Sequence, residues 1–197
     1  MKFKAIGSFT LIFLIGFWQY RDGIRSKNQT LIVQQLRQVG QLHTVIFTGE
    51  SLIPTQAERN LGTLVIGKTE LVYLARGEVR AGINLEQLKP EHIKQSPTGL
   101  EILLPPPEIL DSKIDIRRSQ VKYYNRGFLS LGPDVAPELQ SDAERRAQDA
   151  IVASACKEGI LAQANLQTQV IVTQLLQAAG YENVSVKTQK PFSGGCL

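Results

Sequence analysis

The stretch "ELVYLARGEVRAGINL", residues 70–85, carries the fold prediction because its side chains alternate in character. The apolar or glycine positions are Leu71, Tyr73, Ala75, Gly77, Val79, Ala81, Ile83 and Leu85. Arg76, Glu78 and Arg80 form a charged row between them. A period of two predicts a long β-strand with one buried and one solvated face. The charged row is interpreted as the solvated face, with an anion site as the less favoured alternative. Gly77 and Gly82 predict a bulge or bend.

The segment just before this strand, "GTLVIGKT" at residues 62–69, matches the phosphate-loop pattern G-x-x-x-x-G-K-[ST]. A phosphate loop needs flexible residues and a helix that starts at the lysine, so that backbone N–H groups surround the phosphates. Here the variable positions are Thr63, Leu64, Val65 and Ile66, and a strand follows. We therefore predict no nucleotide site, and a β-hairpin with its turn at Gly67-Lys68.

The segments on either side complete the sheet prediction. Residues 28–40 predict a helix, since Ile32, Leu36 and Val39 recur at helical spacing before Gly40. Residues 43–49 predict a strand, and residues 50–60 predict an irregular segment. The strand predicted within "GLEILLPPPEIL", residues 99–110, stops at the prolines 105–107, which donate no ladder hydrogen bonds. Short strands are predicted within residues 111–125 and 183–188.

The C-terminal part, residues 141–180, predicts a broken helical pair. Ser141 and Glu144 spell a capping box at its start. The apolar stripe is formed first by Ala147, Ile151 and Ala155, and later by Leu161, Ala164, Ile171 and Leu175. Ile151 and Ile171 would lie about 160° apart around one continuous helix. A kink or break is therefore predicted near Gly159.

These elements predict an α+β fold: an antiparallel sheet packed with one short helix and a C-terminal broken helical pair. The chain has 197 residues, which suits one domain plus appendages. Residues 28–189 are assigned to that single domain, and residues 190–197 to a flexible tail.

Residues 1–27 are predicted to be a membrane anchor and juxtamembrane segment. Lys2 and Lys4 precede an apolar run that ends with Trp18, Tyr20 and Arg21. Charges, apolar run, aromatic rings and charges follow one another as in a membrane-inserted helix. The run spans about 24 Å against a hydrocarbon core of about 30 Å, a deficit that snorkelling lysine and arginine side chains can cover. A cleaved secretory signal and a buried core helix are the alternatives.

The predicted location is a single-pass membrane protein whose domain is extracytoplasmic. Lys2 and Lys4 lie on one side of the anchor and Arg21, Arg25 and Lys27 on the other, so the positive charges leave the orientation nearly balanced. A very short leader usually stays inside, which favours export of the domain.

No sequence motif indicates a particular reaction, and no catalytic, cofactor-binding or metal-binding residue is predicted. His43 and His92 lie far apart, without metal-ligand spacing. Cys156 is interpreted as a buried inert thiol and Cys196 as exposed, with a bridge between them as the less favoured alternative. The net charge of +4, with aromatic residues at 7%, gives no argument for nucleic acid. The pairs Arg117-Arg118 and Arg145-Arg146 are interpreted as solvated, with contact to anionic headgroups as the alternative.

Three segments in order resemble the uncharacterised family catalogued as domain of unknown function 4230. They are "LVYLARGEVRAGINL", "LEILLPPPEILDSKID" and the helical region from "AERRAQDAIVASACKEGIL" to "YENVSV". The resemblance covers about residues 28–189, and it implies an N-terminal membrane anchor in many members. It implies no activity and no functional residues. The proline run is interpreted as a packing device, with a docking site as the alternative.

The predicted function is a membrane-anchored, noncatalytic domain that binds a protein partner or an envelope component. The alternative is an uncharacterised envelope enzyme or a lipid-handling protein. A concave pocket with convergent, perturbed carboxylates would favour the enzyme. A flat, exposed apolar patch near the proline run would favour the binding module.

Overall fold

The structure is a computed structural model that describes residues 30–191, 195 and 196. Their chain divides into two compact units. The first unit contains residues 30–42, 84–105 and 169–189. The second unit contains residues 43–83, 106–168, 190, 191, 195 and 196.

The described residues form helices and strands, which confirms the α+β prediction. The helices are α1 (residues 30–38), α2 (Ala136–Lys157) and α3 (Ile160–Ala178). The strands are β1 (Gln41–Leu61), β2 (Leu64–Asn84), β3 (Ile93–Ser96), β4 (Gly99–Leu104), β5 (Glu108–Ile114), β6 (Gln120–Asn125) and β7 (Val184–Thr188). Short 3₁₀ segments occupy Leu85–Gln87, Pro90–His92 and Phe128–Ser130.

The β1–β2 hairpin is longer than predicted, and its turn lies elsewhere. The turn is at Gly62 and Thr63, so the predicted turn at Gly67-Lys68 is wrong. Gly62 has a φ of +61°, which a tight hairpin turn requires. Gly67 instead lies inside β2, packed against the backbone of residues 131 and 132. The irregular segment predicted at residues 50–60 is also wrong, because β1 continues through Pro54 as the terminal strand of its sheet, where proline is tolerated.

The four-stranded sheet of the second unit is organised around β2. Its order is β1-β2-β5, and β6 also pairs with β2. Both β5 and β6 run antiparallel to β2: Gly77–Gly82 pairs with β5 and Glu70–Leu74 with β6. The register shifts between Arg80 and Ala81 and between Val72 and Tyr73. The antiparallel prediction is confirmed here, although these register shifts lie at neither Gly77 nor Gly82, where a bulge or bend was predicted.

The predicted dry face of β2 is confirmed and supports two hydrophobic clusters with the C-terminal helices. One cluster contains Leu71, Tyr73, Ala75, Leu139, Ala143 and Ala147. The other contains Val79, Ala81, Ile151, Ala155, Ile160, Leu161 and Ala164. The residues of α2 in these clusters are largely alanines, whose side chains are small. The helix can therefore lie close to β2, and the larger side chains of β2 fill the space between the alanines.

The first unit contains a smaller, mixed sheet of order β3-β4-β7. β3 and β4 form an antiparallel pair, whereas β4 and β7 are parallel, from Leu100↔Val184 to Leu104↔Thr188. The prediction of an exclusively antiparallel sheet is therefore wrong. β7 follows helix α3 instead of a hairpin turn, and parallel strands need such a long connection. The buried side chains of the first unit include Ile32, Val33, Leu36, Leu85, Leu88, Ile93, Leu100, Ile102, Leu104, Val172 and Leu176.

The predicted helix break is confirmed, but two details of the helices are wrong. α2 ends at Lys157 and α3 starts at Ile160, with Gly159 between them at a φ of +76°. α2 begins at Ala136, with a proline in its first turn, so Ser141 lies inside the helix and does not cap it. In α3 the expected stripe is displaced by one residue at its end: Val172 is 1% exposed and Ile171 is 37% exposed.

Cys156 and Cys196 form a disulfide, with their Cα atoms 5.6 Å apart. The prediction of a free buried thiol and an exposed one is therefore wrong. The bond attaches Cys196, from the segment predicted to be a flexible tail, to the C-terminal end of α2. Cys196 packs against the cluster around Ile151.

The proline run and the predicted anchor have different outcomes. Pro105, Pro106 and Pro107 are all buried, which favours the packing interpretation over a docking site.

None of the helices in the described part of the chain is both long and apolar enough to cross a membrane. The predicted anchor, residues 1–27, lies outside the described residues.

Candidate functional site

A wide cleft lies in the second unit, where the partner of β2 changes from β5 to β6. Its volume is about 690 Å³, within the range of small-ligand sites. It is lined by Thr48, Gly49, Glu50, Arg76, Gly77, Glu78, Lys113, Ile114, Asp115, Ile116, Arg117 and Arg118. These residues come from β1, β2, the end of β5 and the bend after it. We call this site the β2 cleft.

The bend at residues 115–119 is held by the backbone of Arg76. The Arg76 carbonyl accepts a 2.7 Å hydrogen bond from the Asp115 N–H. The Arg76 N–H donates to the Ser119 hydroxyl at 3.0 Å, and that hydroxyl donates to the Asp115 carbonyl at 2.7 Å. Aspartate and serine commonly hydrogen-bond to nearby backbone groups in this way. The backbone of Arg76 therefore fixes both ends of the bend, at the end of β5 and before the start of β6. The three residues between Asp115 and Ser119 form the bend itself.

Further bonds order the bend itself. The Asp115 carboxylate accepts from the Arg117 N–H at 3.1 Å, and the Asp115 carbonyl accepts from the Arg118 N–H at 3.1 Å. Ile116, at its tip, is 74% exposed. The bend thus presents an apolar side chain beside two guanidinium groups on a hydrogen-bonded backbone.

Each carboxylate of the β2 cleft is paired with a cation. Glu50 accepts from Arg76 at 2.7 Å. Glu78 accepts from Lys113 at 2.9 Å and from Arg80 at 2.7 Å. Arg118 lies 3.5 Å from Asp115. These pairs are largely solvated, so they position side chains more than they stabilise the fold.

Arg117 differs from the other cations of the cleft. Within the described residues its side chain has no ion pair or hydrogen bond, whereas Arg76, Lys113 and Arg118 are each paired. The lining holds four cations and three carboxylates, an excess of one positive charge. A guanidinium offers five N–H donors in a planar fork that matches carboxylate and phosphate oxygens. The cleft can therefore accept an anionic group at Arg117.

The electrostatics of Glu78 bear on the chemistry available in the cleft. Its hydrogen bond from Lys113, with a further contribution from Arg80, lowers the pKa of Glu78 from its usual range. A general acid at neutral pH requires the opposite shift, which burial or a neighbouring carboxylate would provide. Glu78 is therefore held ionised, as a structural partner of two cations.

The charged rows identified in the sequence are mainly paired. Arg76 and Arg80 point from the solvated face of β2 to Glu50 and Glu78, which agrees with the solvated-face interpretation. Arg145 and Arg146 both approach Asp142 on α2, at 3.8 and 2.8 Å. Of the two arginine pairs considered, Arg117-Arg118 lies in the β2 cleft and Arg145-Arg146 does not.

The segment that resembles a phosphate loop has the geometry of a strand. Leu64 to Thr69 belong to β2, and Lys68 pairs with Glu70 at 2.8 Å. The Thr69 hydroxyl is buried and donates to the Pro133 carbonyl at 2.6 Å. The branched residues form a strand, as predicted, and the threonine hydroxyl is used for packing.

Neither histidine lines the β2 cleft. His92 accepts a local 3.4 Å hydrogen bond from the Lys89 N–H, and His43 lies exposed on β1. Across residues 30–191, 195 and 196, no group of three or more histidine, cysteine, aspartate or glutamate side chains is arranged to hold a metal ion.

Residues 34–186 match the model of a protein family described as "Protein of unknown function (DUF4230)". Because this match covers more than half of the 197-residue chain, the protein belongs to that family, as its three sequence segments indicated. Comparisons with curated proteins and with solved structures gave no match.

Sequence reasoning identified no site, although one signal of the cleft was present. In "DIRRSQ" an aspartate and a serine enclose an exposed isoleucine and two arginines between two strand patterns. Asp and Ser at these positions favour a side-chain-stabilised bend. What the sequence did not show is that Arg76, Glu50 and Lys113 lie around this bend.

Proposed function

We propose that this protein is a noncatalytic binding module, tethered to a membrane by residues 1–27, that binds an anionic component of an extracytoplasmic envelope. The observation that carries the proposal is Arg117, whose guanidinium has no ion pair among the described residues and lies on an ordered bend at the β2 cleft. Ile116 adds an exposed apolar contact beside it. Charge and apolar surface together suit a phosphate- or carboxylate-bearing polymer or lipid headgroup.

The disulfide supports the extracytoplasmic part of the proposal. Disulfides persist in secreted and periplasmic proteins and are rare in the reducing cytosol. The bond between Cys156 and Cys196 therefore favours export of the domain. It also changes how topology is measured, because neither thiol is available to a labelling reagent.

The pairing of the carboxylates supports binding over catalysis. Glu50, Glu78 and Asp115 each face a cation at 2.7–3.5 Å, and the pKa of Glu78 is lowered. Paired, ionised carboxylates position arginine and lysine side chains. A general acid–base pair instead needs two groups whose environments shift their pKa values apart.

Binding is tested with the full chain in detergent micelles. The probes are fluorescent poly(glycerol phosphate), polygalacturonate and neutral dextran, which separate phosphate, carboxylate and sugar contributions. We expect one polyanion to bind and Arg117→Ala with Arg118→Ala to weaken it by about tenfold. The matched control is Arg145→Ala with Arg146→Ala, which removes the same charge outside the cleft. Equal losses in both variants would mean that only net charge is sensed, and would reject the cleft.

Topology is tested in cells by differential alkylation. Thiols are blocked at lysis, the sample is reduced, and a heavy maleimide then reports which cysteines were bonded. We expect two adducts per chain in the membrane pellet after reduction, because Cys156 and Cys196 are bonded. Complete blocking before reduction would place the domain in a reducing compartment. Recovery in the soluble fraction would remove the anchor.

A further inference from the structure

The strand β6 is one of three strands in its sheet, with β1 and β5, that have an unpaired outer edge in the described residues. It pairs with β2, and no strand pairs with its opposite edge within the described residues. Its backbone N–H and C=O groups on that edge are the groups to which another extended chain binds. All six residues of β6 are exposed.

The other outer edges of the sheet are protected. β1 contains Pro54, which lacks an N–H donor. The outer edge of β5 is covered by α2, where the Gln148 amide donates to the Ser112 carbonyl at 3.0 Å and to its hydroxyl at 2.9 Å. Proline and a covering helix are two ways by which proteins prevent unwanted strand pairing. β6 contains no proline.

The side chains of β6 provide contacts on both faces of the strand. Val121 is 40% exposed, Tyr123 45% and Tyr124 38%. Tyr124 lies opposite Leu71 and Tyr123 opposite Val72, so the two rings are on opposite faces of the sheet. Tyr123 also lines a cleft of about 540 Å³ with Pro54, Val72 and Arg146 among its walls. A side chain of an added strand can occupy this cleft.

The charge of β6 indicates the chemistry of the occupant. Lys122 is the one charged residue of "QVKYYN", and its ammonium has no ion-pair partner in the described part of the chain. An opposing strand with an acidic residue near Lys122 gains an attractive cross-strand pair.

We infer that β6 is a strand-addition site for an extended segment of a protein partner, with alternating apolar side chains and an acidic residue opposite Lys122. This surface is separate from the proposed function of the β2 cleft. A second copy of β6 is a poorer occupant, because a stable dimer buries about 800 Å² on each partner. Two six-residue strands offer a contact only about 20 Å long and one strand wide. Peptide recognition by strand addition works at this size, with main-chain hydrogen bonds and alternate side-chain pockets.

The probe is a capped, fluorescent hexapeptide, TVEVYT, measured by anisotropy against the full chain in detergent micelles. Two derivatives carry N-methyl groups on alternate residues, at the odd or at the even positions. Every second N–H of a strand faces the same neighbour, so one derivative should lose about tenfold in affinity and the other less than about threefold. Equal effects of the two derivatives, or no binding at about 1 mM peptide, would overturn the inference.

The matched variants distinguish β6 from the opposite edge of the sheet. Val121→Lys with Tyr123→Lys replaces exposed side chains of β6 and should weaken peptide binding by about tenfold. Ile46→Lys with Leu52→Lys makes the same change at exposed positions of β1 and should leave binding unchanged. Equal thermal midpoints would show that both variants fold. Loss of binding in the β1 variant, or a dimer that the β6 variant abolishes without any peptide binding, would contradict the proposal.

Discussion

β5 and β6 pair with the same edge of β2, yet one is covered and the other is open. β5 faces residues 77–82 of β2, and Gln148 of α2 covers its outer edge. β6 faces residues 70–74, and every one of its residues is exposed. We call these the closed end and the open end of the sheet. Both strands mix polar and apolar residues, but only for β5 is a hydrogen bond from a helix side chain seen in the described residues.

β5 also packs against a buried cluster, through Ile109 and Ile114. Val79 and Ala81 pack with Ile151 and Ala155, and the disulfided Cys196 contacts the same cluster. At the open end, β6 contributes no buried residue. The comparison predicts that substitutions at the buried positions of the closed end destabilise the protein strongly, and that substitutions in β6 do so weakly.

Removal of the disulfide should have the largest effect. The bond closes a loop with a sequence separation of 40, for which loop-closure entropy gives about 4 kcal/mol. Cys156→Ser with Cys196→Ser should therefore lower the free energy of unfolding by about that amount, measured in urea. Reductant should destabilise the wild type and leave the double variant unchanged. A wild type that is insensitive to reductant would show that the bond does not stabilise the fold.

Gly77→Ala should be the next most disruptive change, because it adds a methyl group at the closed end. A Cβ there would lie 2.7 Å from the Lys113 carbonyl oxygen and 3.1 Å from Ile151 Cδ1. A backbone carbonyl moves only with its strand, so we expect a loss of about 2–3 kcal/mol on thermal or urea unfolding. The control is Gly62→Asn in the hairpin turn, where asparagine tolerates the positive φ and space is open. If Gly77→Ala is neutral, the close approach of β2 and β5 is not required.

A matched pair of valines compares the two ends directly. Val79 is fully buried at the closed end, and Val121 is 40% exposed on β6. Val79→Ala should cost about 2 kcal/mol, because it removes two buried methyl groups and leaves a cavity. Val121→Ala should change stability by less than about 0.5 kcal/mol. Similar losses for both substitutions would mean that β6 is covered in solution, in contrast to its exposure here.

The smallest expected effect is a pH dependence due to Glu78 at the closed end. Lys113 and Arg80 lower the pKa of Glu78 below 4.5, its usual value, while β6 contains no carboxylate. A lowered pKa in the folded state gives stability that is present above pH 4.5 and is lost as pH falls through the folded pKa. The stability difference between the wild type and Glu78→Gln should therefore shrink below pH 4.5. A difference that grows on acidification would reverse the sign of the interaction.

The long periodic segments were predictable from the sequence because burial of one face repeats along them. The alternation of residues 71–85 gave the dry face of β2, and the change of stripe gave the break at Gly159. The predicted start of α2 was wrong, because the helix begins earlier, with a proline in its first turn. The predicted end of the α3 stripe was wrong by one residue, which changes the side chains that face the core. The hairpin turn was misplaced because Gly62 and Gly67 are equally plausible turn residues without knowledge of what packs against them.

The candidate sites were less predictable than the fold. The bend at residues 115–119 has a local signal in Asp115 and Ser119, whereas its cleft also requires Glu50 and Arg76 from a distant hairpin. The open edge of β6 depends on which segments pack beside it, which the strand sequence alone does not encode. Both sites arise from contacts between segments that are far apart along the chain.

The sequence by itself determined the α+β class, the family, the strand character of the segment that resembles a phosphate loop, and the helix break. Hydrophobic periodicity and glycine placement are local properties, so they can be read without knowing the neighbours. The tertiary structure alone decided the Cys156–Cys196 bond, the parallel β4–β7 pair, the ion pairs of the β2 cleft and the exposure of β6. Each depends on distances between residues remote in sequence, which are set only by tertiary packing.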